Sequence, residues 1–234
     1  MLRLRFALDL SEMNVKHHSL AGATASLSCA LCYLIGFAMI IFIIPDFHLD
    51  SGLRLQAIQQ HSSLIQLWYF IIFIVFGISL LLLSNYLSKA MPRQGLLAML
   101  SLVTSYVWGA YVIASGLIAI FSIQYLASTP HSEVDHVWAT IYTLQTGLGE
   151  GVEWVGGIWM LLISLMLLKH AILPRSFNLF GMAIALSGLM TLVPGLSEAG
   201  ALFGLSQIVW FCLVAYFFSK QKLPLITDNN NLSG

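Results

Sequence analysis

Charge is scarce in this sequence: Asp, Glu, Lys and Arg together supply 9% of 234 residues, where soluble domains carry about a quarter. That scarcity excludes water as the main solvent of the chain. The ten basic and ten acidic side chains cancel, so no overall field favours nucleic acid or an acidic partner. Cysteine is equally sparse. Cys29, Cys32 and Cys212 all fall within apolar stretches, which excludes an extracellular disulfide framework and says nothing of redox compartment. Cys29 and Cys32 have the C-x-x-C spelling but lack the second pair of a zinc site and the strand-to-helix setting of a redox motif, so they read as small residues at a helix seam. A secretory signal core is also missing. Met1 to Leu20 carries Arg3, Arg5, Asp9, Glu12 and Lys16, and its apolar runs are too short for one. Residues 1–20 read as a cytoplasmic leader, with Met13 as an alternative start. No tandem repeat is visible, and the polar stretch Asp228–Gly234 closes a tail over 220–234.

What the chain has in abundance is apolar sequence, at 59% of residues. Six stretches, at about 21–44, 63–85, 95–123, 147–168, 177–195 and 200–219, each approach or exceed the roughly 20 residues that a helix needs to cross the hydrocarbon. Runs such as Leu34–Ile44 lack the alternation of a barrel strand. The expected fold is therefore all-α, a polytopic membrane bundle of six transmembrane helices filling 21–219. Positive side chains set its orientation. Arg3, Arg5, Lys16, Lys89, Arg93, Lys169, Arg175, Lys220 and Lys222 fall on one side, and Arg54 alone on the other. This places both termini in the cytoplasm of a cell whose inner membrane the chain spans several times. The opposite connections hold Asp46, His48, Asp50, Arg54 and His61, then His131, Glu133, Asp135 and His136, then Glu198. Trp68, Tyr69, Trp138 and Tyr142 lie close to that outer boundary, as interfacial aromatics do. The third stretch is uncharged from Gln94 to Pro130, longer than a bilayer requires, and is expected to tilt or project.

The most unusual local sequence is Gly147-Leu-Gly-Glu150-Gly-Val-Glu153-Trp-Val-Gly-Gly157. On one continuous helix Glu150 and Glu153, three residues apart, share a face, and Gly149 and Gly157 lie about 40° from Glu153. Glycines in a span permit close backbone approach, so this face should meet another helix. Intramembrane carboxylates aimed into a bundle are the usual arrangement for function. If Lys169 and His170 mark the inner edge, Glu150 falls at the outer border and Glu153 a turn inside. A start at Trp138 would place both near mid-membrane. The shallow register is preferred, and its plainer reading is a pair of interfacial acids beside a packing seam. The sharper one is a substrate, proton or cation site, which Glu198 joins if the last three helices pack together. His131 and His136, with Glu133 and Asp135 between them, offer metal donors whose spacing matches no helical metal motif. Gly181, Ala185 and Gly188, then Gly200 and Gly204, add small-residue seams. Gln145, Thr146, Ser187, Thr191 and Gln207 can line a cleft or bond between helices, the second being the default. All seven histidines lie in connections or the leader, which argues against a haem bundle.

The segment from Gly147 to Phe218 resembles a bacterial six-helix membrane family catalogued as domain of unknown function 4386. The residues concerned are Gly-Glu150-Gly-Val-Glu153 leading into Gly157-Ile-Trp159, then Leu173-Pro174-Arg175 with Phe180-Gly181, and Gly188-Leu-Met-Thr-Leu-Val-Pro194. The resemblance implies the six-span architecture and no activity.

The expected role is that of a bundle in contact with the lipid bilayer, binding a small-molecule or lipid ligand in the outer half of spans four to six through Glu150, Glu153 and Glu198. No cofactor is favoured and no nucleic-acid partner is expected. The alternatives are a membrane enzyme with carboxylate acid–base chemistry and a metal on His131 and His136, and a structural subunit whose glycine seams form a helix–helix oligomer or hold a partner subunit.

Overall fold

The computed structural model describes residues 2–92, 95–128, 134–150 and 152–223, and their side chains except at 2–12, 48, 128, 149 and 150. Arg93, His131 and Glu133 lie outside the described residues, as do the tail from 224 onward and the Glu150 side chain. The described chain folds into α1 (Leu2–Ala38), α2 (Ser51–Gln60), α3 (Ser62–Tyr69), α4 (Phe76–Lys89), α5 (Leu96–Ser128), α6 (Val134–Gln145), α7 (Glu153–Lys169), α8 (Arg175–Met190) and α9 (Ala199–Ser219). No strand occurs among the described residues. Pro45, Pro92, Pro174 and Pro194 all fall in connections or at a helix start, where a missing N–H does no harm. The apolar runs between them can satisfy their backbone internally, as lipid requires.

Among the described residues, five helical segments are long and apolar enough to cross a membrane: Met13–Ile43, Ser62–Lys89, Leu96–Ala127, Val134–Lys169 and Ala199–Ser219. Their outward surfaces keep large apolar side chains exposed, Phe42 at 80% among them, which is a surface for lipid and not for water. Helix α8, at 16 residues, is shorter than these. It ends at Met190, short of the expected 195, because Thr191–Pro194 turns into Gly195 with φ +85, a conformation that glycine adopts without strain. The fourth apolar segment begins at Val134, well before 147, and is interrupted ahead of Glu153. No break separates a leader at residue 20, since α1 is continuous from Leu2.

The most extensive helix pairs are α7 with α8 and α1 with α9. In the first, backbone meets backbone. A Cβ on Gly157 would lie 2.8 Å from the Ala185 carbonyl oxygen, and one on Gly188 would lie 2.7 Å from that of Glu153. In the second, Ser26 Oγ donates to the Phe211 carbonyl at 2.7 Å, Ser19 Oγ donates to that of Phe218, and Gly22 faces the Phe218 ring. Ring contacts gather the start of α1, the end of α4 and the end of α9, with His18 edge-on to Tyr86 at 5.4 Å and Phe218 at 5.7 Å. Phe177 of α8 joins this layer through Phe217 at 5.0 Å. Lys89 and Arg175 therefore share one basic end of the bundle.

The opposite end is a cap with its own hydrophobic cluster, built from Phe47, Leu55, Ile58, Trp68, Val134 and Trp138 among others. Asp50 starts α2 by accepting from the amides of Gly52 at 2.7 Å and Leu53 at 2.9 Å, the usual role of an N-cap carboxylate. Trp138 Nε1 donates to the Ser51 carbonyl at 2.8 Å, tying α6 to α2. Arg54, the one basic residue of the outer connections, is 2% exposed. Its guanidinium lies 4.7 Å from the Phe47 ring centre and 5.1 Å from that of Tyr142, and its Nε donates to the Phe47 carbonyl.

Candidate functional site

Three helices change pitch where the capped end meets the main core. Residues Met39–Ile43 at the end of α1, Phe70–Val75 between α3 and α4, and Thr146–Glu150 between α6 and α7 are π-helical. A π segment widens the turn and frees carbonyls, a distortion frequent at functional positions. One freed group is accounted for: Ser115 Oγ of α5 donates to the Leu148 carbonyl at 2.6 Å. The third segment has a legible cause in Gly147, Gly149 and Gly151, which disfavour a regular helix.

This interruption corrects the face shared by Glu150 and Glu153. Glu150 ends the π segment, Val152 caps the next helix with φ −95 and ψ −1, and Glu153 is the first residue of α7. The two acids do not lie on one continuous helix. Seventeen residues of α7 rise about 25 Å, so with Lys169 at one hydrocarbon boundary Glu153 stands toward the other. Its side chain is half-buried and runs beside α9, where a Cβ on Gly200 would lie 3.5 Å from Glu153 Cγ and Oε1. Being in the first turn, the carboxylate sits at the positive end of the α7 dipole.

Glu153 opens onto a cavity of about 190 Å³ that it lines with Trp108, Val112, Phe203 and the trio Tyr33, Ile72 and Phe76. The same trio lines a second cavity of about 150 Å³, bounded also by Cys32, Gly36, Phe37, Ile40 and Trp68. The two are therefore neighbouring chambers that share three wall residues. Ile40 and Ile72 belong to π segments, and the third segment leads directly into Val152 and Glu153. Rings line the chambers in contact with one another: Tyr33 to Phe76 at 5.1 Å, Phe76 to Trp108 at 5.7 Å and Trp108 to Phe203 at 6.3 Å. The buried Trp68 N–H has no hydrogen-bond partner among the described residues.

The other expected site residues are dispersed. Glu198 is exposed just before α9 and is not among the described lining residues of either chamber. Asp135 and His136 are exposed on α6, and no group of three His, Cys, Asp or Glu side chains able to hold a metal occurs among the described residues. Cys29 is fully buried, while Cys32 reaches the smaller chamber. Ser187 and Thr191 bond their own helix at Ile184 and Gly188 instead of crossing to a neighbour. Gln207 is fully buried, and neither of its amide atoms has a partner among the described residues.

Helix α1, the stretch from Trp68 to Phe76 and α5, which the sequence did not implicate, thus supply most of the lining, whereas α8 lines neither chamber among the described residues. A π segment within a uniformly apolar run leaves no residue-type marker. The one available signal was Gly36, a small residue amid bulky neighbours. Among protein-family models, curated proteins and solved structures, none matches this chain.

Proposed function

We propose that this protein is a six-span bundle of a bacterial inner membrane that binds a small lipophilic ligand in its periplasmic half. The observation that carries this reading is the pair of adjoining cavities, lined in part by two π-helical segments and, among the described lining residues, by one carboxylate, Glu153. Apolar walls with a single polar contact are the common form of a small-molecule site. Helix α8 serves as the remaining span. Its 16 residues rise about 24 Å, and exposed Leu192 and Val193 continue its apolar surface beyond Met190. Both termini are cytoplasmic because the basic end then faces the cytoplasm, in keeping with the excess of Lys and Arg there. The resemblance of Gly147 to Phe218 to domain of unknown function 4386 agrees with this architecture and adds no activity.

A structural subunit whose glycine seams grip a partner draws less support. Gly157, Gly181, Gly188 and Gly204 all face neighbours within the chain, at distances that already exclude a methyl group without adjustment.

Co-purification tests the ligand reading. Protein extracted from its native membrane in mild detergent should release a lipophilic molecule in near-stoichiometric amount. Gly36→Leu, which extends a side chain into the smaller chamber, should purify as a folded protein without it. Identical organic extracts from both would refute the proposal.

A further inference from the structure

A further cavity, of about 250 Å³, lies at the capped end and differs from the two chambers in having polar side chains in its wall. One wall is a face of α2. Leu53, Gln56, Ala57 and Gln60 line it, the i, i+3, i+4 and i+7 positions that a helix turns to one side, and His61 at the end of α2 completes that wall. Leu55 and Ile58, which face away from it, are buried in the cap cluster and hold α2 in this rotation. The facing wall is the chain from Ile43 to Phe47, which carries Asp46. Phe47 pins it: the residue is 2% exposed, its ring meets Trp68 edge-on at 5.4 Å, and its amide donates to the Ile44 carbonyl at 3.1 Å. Both walls are therefore set before a ligand arrives, which spares part of the ordering cost of binding.

Asp46, Gln56, Gln60 and His61 are exposed around this one cavity, and their side chains make no hydrogen bond or ion pair among the described residues. Each can accept a hydrogen bond: the carboxylate through two oxygens, each amide through Oε1, and the imidazole through a ring nitrogen. Among the described lining residues there is one carboxylate and no Lys or Arg, so a phosphate or carboxylate would meet repulsion and no fixed cation. A primary ammonium is the complement, with one positive charge, three N–H donors and no acceptor. A quaternary ammonium keeps the charge but leaves the amides and the imidazole unused. An exposed ion pair alone binds weakly, so the three neutral acceptors decide between these two heads. Ile44, Leu53 and Ala57 supply apolar wall for the carbons beside the nitrogen.

We propose that this cavity binds a primary ammonium group on a short carbon chain, with Asp46 as its counter-ion and Gln56, Gln60 and His61 as hydrogen-bond acceptors. The space exceeds the roughly 150 Å³ that accepts benzene and suits a chain of about five carbons with its head. Two sources present this chemistry: a free alkylamine, and the ethanolamine head of a phospholipid, since the cavity adjoins the exposed apolar surface of Phe42 and Ile43. The assignment is independent of the two chambers and of Glu153.

The test uses the full chain in nanodiscs of phosphatidylcholine, whose choline head has no N–H donor to compete, with empty discs of the same lipid as the blank. Pentylamine, pentyltrimethylammonium and 1-pentanol share one arm and are titrated at neutral pH by ligand-observed saturation-transfer NMR. Pentylamine should saturate above the blank and bind at least about tenfold more tightly than either of the others, the equivalent of one net hydrogen bond from a charged group. Asp46→Asn, which keeps the shape and removes the charge, should weaken pentylamine about threefold to fivefold, the upper range for an exposed ion pair. Gln56→Ala combined with Gln60→Ala should bring pentylamine toward the level of the quaternary compound while leaving the latter nearly unchanged. Unaltered thermal unfolding establishes that these surface variants are folded. Replacing part of the phosphatidylcholine by phosphatidylethanolamine assigns the source: a weakened apparent affinity for pentylamine identifies the lipid head and an unchanged one the free amine, and both uphold the ammonium site. Equal binding of pentylamine and its trimethyl analogue, full pentylamine affinity in Asp46→Asn, or no saturation above the blank would overturn it.

Discussion

The same chemical change should have opposite effects at two glycines. A methyl group added at Gly157 would lie 2.8 Å from the Ala185 oxygen, 3.0 Å from the Leu189 nitrogen and 3.2 Å from the Gly188 carbonyl carbon. All three are backbone atoms, so no side chain can swing aside. Ordinary carbon contacts begin near 3.4 Å, and α7 and α8 must therefore part by roughly 0.6 Å, a gap that forfeits a quarter or more of each affected dispersion contact. Overpacking of this kind costs about 1–3 kcal/mol, against which alanine regains up to about 1 kcal/mol of helix propensity. Gly157→Ala should be destabilising by about 1 kcal/mol. At Gly36 the added carbon meets only Ile72 Cγ2, at 3.5 Å, an ordinary contact. There the propensity gain stands alone, and Gly36→Ala should be stabilising by about 0.5–1 kcal/mol. For a chain of this size each kcal/mol moves the unfolding midpoint by about 2–4 °C, so the two variants should differ by several degrees in apparent Tm. Nanoscale fluorimetry in one detergent at one scan rate measures that difference. Equal midpoints, or a Gly157→Ala protein more stable than Gly36→Ala, would show that the α7–α8 approach is not as close as described.

Arg54→Lys keeps the charge but loses the planar stacking between Phe47 and Tyr142, and amides of Ser51–Gln60 should exchange hydrogen about tenfold faster; unchanged exchange would mean that the guanidinium does not hold the cap. In a Cys212→Ser background, Asp135→Cys should react with an impermeant maleimide on intact cells and Lys169→Cys only after permeabilisation. Labelling of both from one side would overturn the orientation and the periplasmic location of the site.

Hydropathy carried the helical class, because uncharged runs of bilayer length leave few other folds open. The glycine seam was legible too, since Gly157 does meet α8 through backbone. Glu153 drew notice because a carboxylate next to an apolar run has few neutral explanations, and it lines a cavity beside Trp108 and Phe203. The face it was expected to share with Glu150 presumed an unbroken helix, which is interrupted ahead of Glu153. Arg54 was legible only as a charge in an outer connection, and tertiary structure shows the two rings beside it. The contribution of α1 and α4 to the cavity was hidden for another reason. In Leu34–Ile44 and Phe70–Val75 every face is apolar, so a shift in helical phase changes nothing that composition records.

The clasp between α1 and α9 has a consequence for biogenesis. Ser19 and Ser26 reach carbonyls 199 and 185 residues away, and the face of α1 around Gly22 is complementary to the Phe218 ring. Helix α1, translated well before α9, must therefore wait with that hydroxyl-bearing face uncovered until α9 has been made. During this interval lipid tails offer those serines no partner, and their hydroxyls can turn only to carbonyls of their own helix.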